Sequence, residues 1–168
     1  MIKLRSVLVL DPAVCDGCRA CEVACSLKHE RECNPMSSRI RVIREPTKGI
    51  NTPLTCVHCE KPICKDVCPV KAIDIDYDTG LVRSPDKIRC IGCKLCLYIC
   101  PISAPIFSSE NGIVIKCDLC DGDPACVKFC SRKAIQYIPI SKLDSINKRA
   151  KAKKLEEFQT KLKTGSVV

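Results

Sequence analysis

The chain is short of the bulk that normally fills a protein interior. It has no tryptophan and only three phenylalanines and three tyrosines in 168 residues, so aromatic side chains cannot supply an ordinary core. His29 and His58 are its only histidines, which leaves no nucleophile and base constellation. It has no GxGxxG and no phosphate-cradling glycine loop, and it lacks the aromatic-rich strip of a single-strand nucleic-acid binder. No window approaches the roughly 18 apolar residues needed to cross a bilayer. The first residues, MIKLRSVLVLDP, lack a long apolar segment, a small-residue cleavage site and a twin-arginine pair. A cytoplasmic chain without a membrane span is expected, in a compartment where thiols stay reduced.

What the sequence has instead is 17 cysteines, and these inflate its 46% hydrophobic fraction. Sixteen of them sort into four groups: Cys15, Cys18, Cys21 and Cys25; Cys56, Cys59, Cys64 and Cys68; Cys90, Cys93, Cys96 and Cys100; Cys117, Cys120, Cys126 and Cys130. Cys33 stands alone. The plan repeats beyond the cysteines, because CPVKAI (68–73) and CSRKAI (130–135) place Lys, Ala and Ile identically after the fourth cysteine. Between groups two and three, Ile73, Ile75 and Tyr77 alternate before Asp78-Thr79-Gly80 and Leu81, which predicts a small β-hairpin.

Three cysteines at short steps can wrap one compact object and leave the intervening backbone N–H groups free to face its sulfurs. A cubane of four irons and four sulfides is such an object, and in two-cluster ferredoxins the fourth cysteine ligates the other cluster, so groups work in pairs. Pro69 and Pro101 follow the fourth cysteine in groups two and three, whereas Ser26 and Ser131 do so in groups one and four. That shared departure pairs outer with outer and inner with inner. Zinc is the rival, since CxxC pairs occur in zinc knuckles and a basic chain could bind nucleic acid. A zinc ribbon needs only two CxxC halves, and the third and fourth cysteines of each group are surplus to it.

The four groups in this order resemble the four-cluster, ferredoxin-like electron-transfer subunits of the dimethyl-sulfoxide-reductase iron-sulfur type, over about residues 1–140. Within that family, CVHCEKPICKDVCPVKAI and CDLCDGDPAC look most like the small subunits of tungsten aldehyde oxidoreductases and of class II benzoyl-CoA reductase. The resemblance implies four 4Fe-4S clusters. It implies the ligand sets Cys15, Cys18, Cys21 with Cys130; Cys56, Cys59, Cys64 with Cys100; Cys90, Cys93, Cys96 with Cys68; and Cys117, Cys120, Cys126 with Cys25. It also implies an electron relay without a substrate pocket, serving a tungsten- or molybdenum-pterin catalytic subunit and a further electron carrier. A hydrogenase or carbon-monoxide dehydrogenase is the alternative partner, and a zinc-stabilised nucleic-acid-binding protein the alternative class.

The expected fold is α+β: an outer ferredoxin-like half (1–50 and 110–140), an inner half (51–109) inserted in it, and a basic amphipathic C-terminal helix (141–168). Four oxidised cubanes carry about −2 each with their thiolates, or about −8 together, which offsets most of the formal +9. The positive side chains therefore do not require a nucleic-acid partner. Residues 142–163 hold eight Lys or Arg against three acids, with Leu143, Ile146, Ala150, Leu155, Phe158 and Leu162 at roughly helical spacing. This helix either covers the core as a solvated element or docks a larger subunit. His58, between two cysteines, either donates to a cluster sulfur or is a buried polar neighbour. His29 and Cys33 are read as structural or surface residues.

Overall fold

The computed structural model describes residues 6–143. The aliphatic run SVLVL forms strand β1 (Ser6–Leu10), which pairs antiparallel with β8 (Ile135–Pro139), Ser6 opposite Pro139 and Leu10 opposite Ile135. The two ends of the described chain are thereby clamped together. Helix α1 (Ala20–Glu30) follows β1, and β2 (Ile40–Glu45) alternates inward Ile40 and Val42 with arginines. It forms a six-pair hairpin with β3 (Ile50–Thr55).

Three one-turn helices come next in the chain: α2 (Ile63–Asp66), α3 (Leu95–Tyr98) and α4 (Ala125–Lys128). Between α2 and α3 lies a hairpin of β4 (Ile75–Asp76) and β5 (Leu81–Val82), at the place the sequence predicts. Asp76 Oδ1 accepts from the N–H groups of Asp78 and Thr79, and Gly80 supplies the left-handed residue that closes the turn. Strands β6 (Ile106–Ser108) and β7 (Ile113–Ile115) form the fourth hairpin. Mixed short helices and small antiparallel sheets make this an α+β fold.

Sulfur takes up much of the interior. One apolar cluster joins Cys21, Cys25 and Cys126 to Ile40, Val42 and Ile135, with Leu8 and Leu10 packed against it. A second joins Cys96 to Ile73, Val82 and Val114, with Cys64 and Phe107 alongside. The boundaries expected at 50/51 and 109/110 both fall inside hairpins, β2–β3 and β6–β7, and Val114 packs with the second cluster. The basic helix expected over 141–168 lies, apart from residues 141–143, outside the described residues.

Candidate metal centre

The third cysteine of every group occupies the same place, the second residue of a helix: Cys21 in α1, Cys64 in α2, Cys96 in α3 and Cys126 in α4. How the chain enters that helix depends on the gap before it. In groups one and three the gap is short, and a left-handed residue, Arg19 or Lys94, makes the entry. In groups two and four the gap is wider, and Pro62 or Pro124 stands there in an extended conformation. Gly92 has a physical reason to be glycine: its φ is +66° and a Cβ would lie 2.3 Å from the carbonyl oxygen of Gly112. The loop of group three thus packs backbone to backbone on the β6–β7 turn.

The turn after the fourth cysteine also repeats. Lys71, Ser103 and Lys133 each lie three residues beyond it with φ near +50° and donate their N–H to the carbonyl of Cys68, Cys100 or Cys130 at 3.1 Å. Ala72, Ala104 and Ala134 follow and are all buried, so the chain folds tightly back under each turn. Group one differs. Cys25 sits inside α1, which continues to Glu30, and the buried Ser26 caps no such turn but accepts from the N–H of Asn34.

The third cysteine of each group has its own electrostatic thiol neighbours. Cys21 faces Cys18 and Cys130, and one cavity is lined by Cys15, Cys18, Cys21 and Cys130. Cys64 faces Cys56, Cys59 and Cys100. Cys96 faces Cys90, Cys93 and Cys68. Cys126 faces Cys117, Cys120 and Cys25, the last from over ninety residues earlier in the chain. Electrostatic influence also passes between the sets: Cys126 senses Cys21, Cys117 senses Cys56, and Cys96 senses Cys64. Cys33 is exposed.

Burial sets the electrostatics. It pushes the thiols of Cys21 and Cys117 up to about 12 and that of Cys96 up to about 11, and it raises Cys64, Cys120 and Cys126 as well. Such thiols stay protonated at neutral pH unless a cationic group binds them as thiolates. Backbone donors are already aimed at sulfur: Arg39 N–H to Cys25 Sγ at 3.3 Å, Ala72 N–H to Cys68 Sγ at 3.2 Å, and Leu119 N–H to Cys117 Sγ at 3.4 Å. The sets are wide. Among the described residues the one group of three such donor atoms within 4.8 Å is His29, Asp118 and Cys120. A Zn–S bond of about 2.3 Å would draw tetrahedral sulfurs to about 3.8 Å apart, so these thiol cages fit a larger, cubane-sized object better than a single ion.

The histidines divide. His58 is buried between Cys56 and Cys59, and its Nδ1 accepts the N–H of Val82, which leaves the ring proton on Nε2. His29, read from the sequence as a structural or surface residue, is half-buried. Its Nε2 lies 3.6 Å from Cys120 Sγ and 3.4 Å from Asp118 Oδ1, and burial, aided by Arg39, lowers its pKa, so the ring is neutral at pH 7. Asp118 is held in turn by the Arg39 guanidinium. The available signal was helical periodicity: His29 is one turn beyond Cys25 on the same helix face.

Comparison with known proteins finds 4Fe-4S binding domains. Residues 47–139, more than half the chain, match the family described as 4Fe-4S dicluster domain, and residues 12–28 match a 4Fe-4S binding domain. The polyferredoxin-like subunit of aliphatic sulfonate oxidoreductase from Pyrococcus furiosus is 43% identical over 77% of this chain and 73% of its own length. The beta subunit of NADH-dependent phenylglyoxylate dehydrogenase from Aromatoleum evansii is 35% identical over 82% of this chain, which corresponds to 31% of that longer protein. Among solved structures, the BamBC active-site complex of benzoyl coenzyme A reductase contains a chain 31% identical, with a TM-score of 0.48 over 79% of this chain and 75% of that one.

Proposed function

Because the chain belongs to the 4Fe-4S dicluster family, we propose that it is an electron-transfer subunit holding four 4Fe-4S clusters and relaying single electrons between a catalytic subunit and another carrier. The ligand sets in this reading are Cys15, Cys18, Cys21 with Cys130; Cys56, Cys59, Cys64 with Cys100; Cys90, Cys93, Cys96 with Cys68; and Cys117, Cys120, Cys126 with Cys25. When bound, each cubane supplies a centre that takes up and releases one electron.

The chain's own residues do the rest. Sixteen thiolates hold the centres, the N–H groups of Arg39, Ala72 and Leu119 stabilise negative charge on sulfur, and Ile40, Ile73, Val82, Val114 and Ile135 keep water away. The observation that carries the reading is the electrostatic influence between the sets, through Cys21 and Cys126, Cys117 and Cys56, and Cys64 and Cys96. Those influences link the four sets in series, as a relay requires. In the same reading the outer half (1–50 and 110–140) holds the first two sets of the series, and the inner half (51–109) holds the last two.

The catalytic partner we assign is a tungsten- or molybdenum-pterin subunit of the aldehyde oxidoreductase or benzoyl-CoA reductase type, in the cytoplasm, with residues 142–163 helping to hold it. Support comes from the relatives, which are named as subunits of oxidoreductases, and from the resemblance of groups two and four. The test is anaerobic purification of the native complex through this chain, followed by metal and cofactor analysis. About sixteen irons and sixteen labile sulfides per chain are expected, with pterin and tungsten or molybdenum in the partner. Zinc in place of iron would overturn the relay. A nickel-iron partner without pterin would overturn only the partner.

A further inference from the structure

Lys116 is 1% exposed, the largest of the fully buried side chains, and its Nζ has no hydrogen-bond partner. A buried ammonium without a partner costs several kcal/mol unless an opposite charge answers it, on the order of the penalty for any desolvated ion. Among the described residues no carboxylate pairs with it, and the one fully buried carboxylate, Glu22, is occupied by Arg19 and by the N–H of Val42. Nor is the position an accident of a loose loop. The Lys116 backbone is fixed on both sides by Ser84, whose Oγ donates to its carbonyl at 2.9 Å and accepts from its N–H at 3.2 Å. Its main chain leads directly from β7 into Cys117, and its charge is within electrostatic reach of the Cys64 side chain. Lys116 therefore stands where the Cys117 set meets the Cys56 and Cys64 set, the junction between the two regions of the molecule.

We propose that Lys116 is an internal counter-ion for the cluster held by Cys56, Cys59, Cys64 and Cys100, and that it makes this cluster easier to reduce. The inference rests on the relay reading given above. A four-thiolate cubane goes from about −2 to about −3 when it takes up one electron, with no bond formed or broken. A fixed positive charge in a low-dielectric interior stabilises the reduced form more than the oxidised one. The lysine is thus unpartnered only in the bare protein, and the same charge that is costly there favours cluster insertion.

The test uses the full chain, purified anaerobically with its clusters, as wild type, Lys116→Met and Lys116→Arg. Iron is counted, and each cluster is titrated with dithionite and redox mediators while electron paramagnetic resonance follows the reduced signals. The signal belonging to the Cys64 set is identified as the one missing from Cys64→Ser. In Lys116→Met that cluster should lose at least tenfold in its reduction equilibrium, about 59 mV for one electron, while the cluster of Cys15, Cys18, Cys21 and Cys130 moves much less. Lys116→Arg should stay near wild type. If Lys116→Met instead loses about four irons and Lys116→Arg retains them, the charge requirement is supported by occupancy rather than potential. Full iron with unmoved potentials overturns the proposal, as do equal shifts in every cluster or an arginine variant as impaired as the methionine one. Wild-type protein containing zinc would instead overturn the relay itself, so the two failures are distinguishable.

Discussion

The region built from β1, α1, β2, β3, α4 and β8 and the region built from α2, β4, β5, α3, β6 and β7 carry the same cysteine plan and solve the problem of burial differently. The first has an eleven-residue helix, strand pairs of five and six residues, and the buried thiols Cys21, Cys25 and Cys126 packed among Ile40, Val42 and Ile135. The second has strand pairs of two and three residues and a smaller apolar cluster. Both leave large apolar side chains in solvent, Ile88 and Tyr98 in the second and Met36 and Phe129 in the first. The outer region can hold its shape with backbone ladders, while the inner one depends on what its thiols bind.

The sharpest way to break this comparison is to remove the metal. Iron chelation under reducing conditions should abolish amide-exchange protection in α2, β4, β5 and α3 first, while β1 paired with β8 and β2 paired with β3 keep measurable protection. Simultaneous loss across both regions would show that the outer ladders contribute no independent stability. Next in size is the crossed ligation. Cys25→Ala should cost about four of sixteen irons and erase the signal of the Cys117, Cys120 and Cys126 cluster, leaving its sequence neighbours Cys15, Cys18 and Cys21 loaded. Iron lost from the latter cluster instead would refute the pairing.

Raised thiol pKa values give a pH signature with a definite sign. A cysteine whose folded pKa lies above its unfolded value binds more protons when folded, so its contribution is complete below about pH 9 and is lost as pH rises toward the folded value. Any residual fold of the cluster-free chain should therefore weaken from about pH 9 upward, where Cys21 and Cys117 ionise in the unfolded chain but, at about 12, stay protonated in the folded one. The loaded protein should show no such slope, because its thiolates carry no protons to lose. Thermal melts of both forms between pH 7 and 10.5 decide it. An apolar control in each region is smaller and local: Ile73→Ala and Ile135→Ala, both sites buried, should each cost about 2–5 kcal/mol in the loaded protein.

Much of this was legible in the residues, for identifiable reasons. Cysteine spacing is a local constraint, so the four groups and the Asp78-Thr79-Gly80 hairpin could be read directly, and both appear in the structure. The region boundaries were less legible. The expected positions 50/51 and 109/110 fall inside the β2–β3 and β6–β7 hairpins, because strand pairing is non-local. Lys116 was invisible as a special residue, because a single lysine in a chain with 28 basic residues carries no pattern. Only its burial distinguishes it.

The smallest expected effects concern the two histidines, one in each region. His29 Nε2 approaches Cys120 Sγ, and a hydrogen bond to a ligating sulfur draws negative charge from it and eases reduction. His29→Phe should therefore lower the reduction equilibrium of the cluster of Cys117, Cys120, Cys126 and Cys25 by less than tenfold, less than about 59 mV, with iron content unchanged. His58 is placed differently, because its Nδ1 is committed to the N–H of the buried Val82 and so ties the Cys56–Cys59 loop to β5. His58→Phe leaves that N–H without its acceptor, at a cost of about 1–3 kcal/mol, so it should lower thermal stability of the inner region more than it moves any potential. Redox titration and thermal melts of the two variants side by side separate the roles. A His58 variant that shifts a cluster potential at full stability would show that the ring acts on sulfur and not on β5, and the contrast between the two histidines would then disappear.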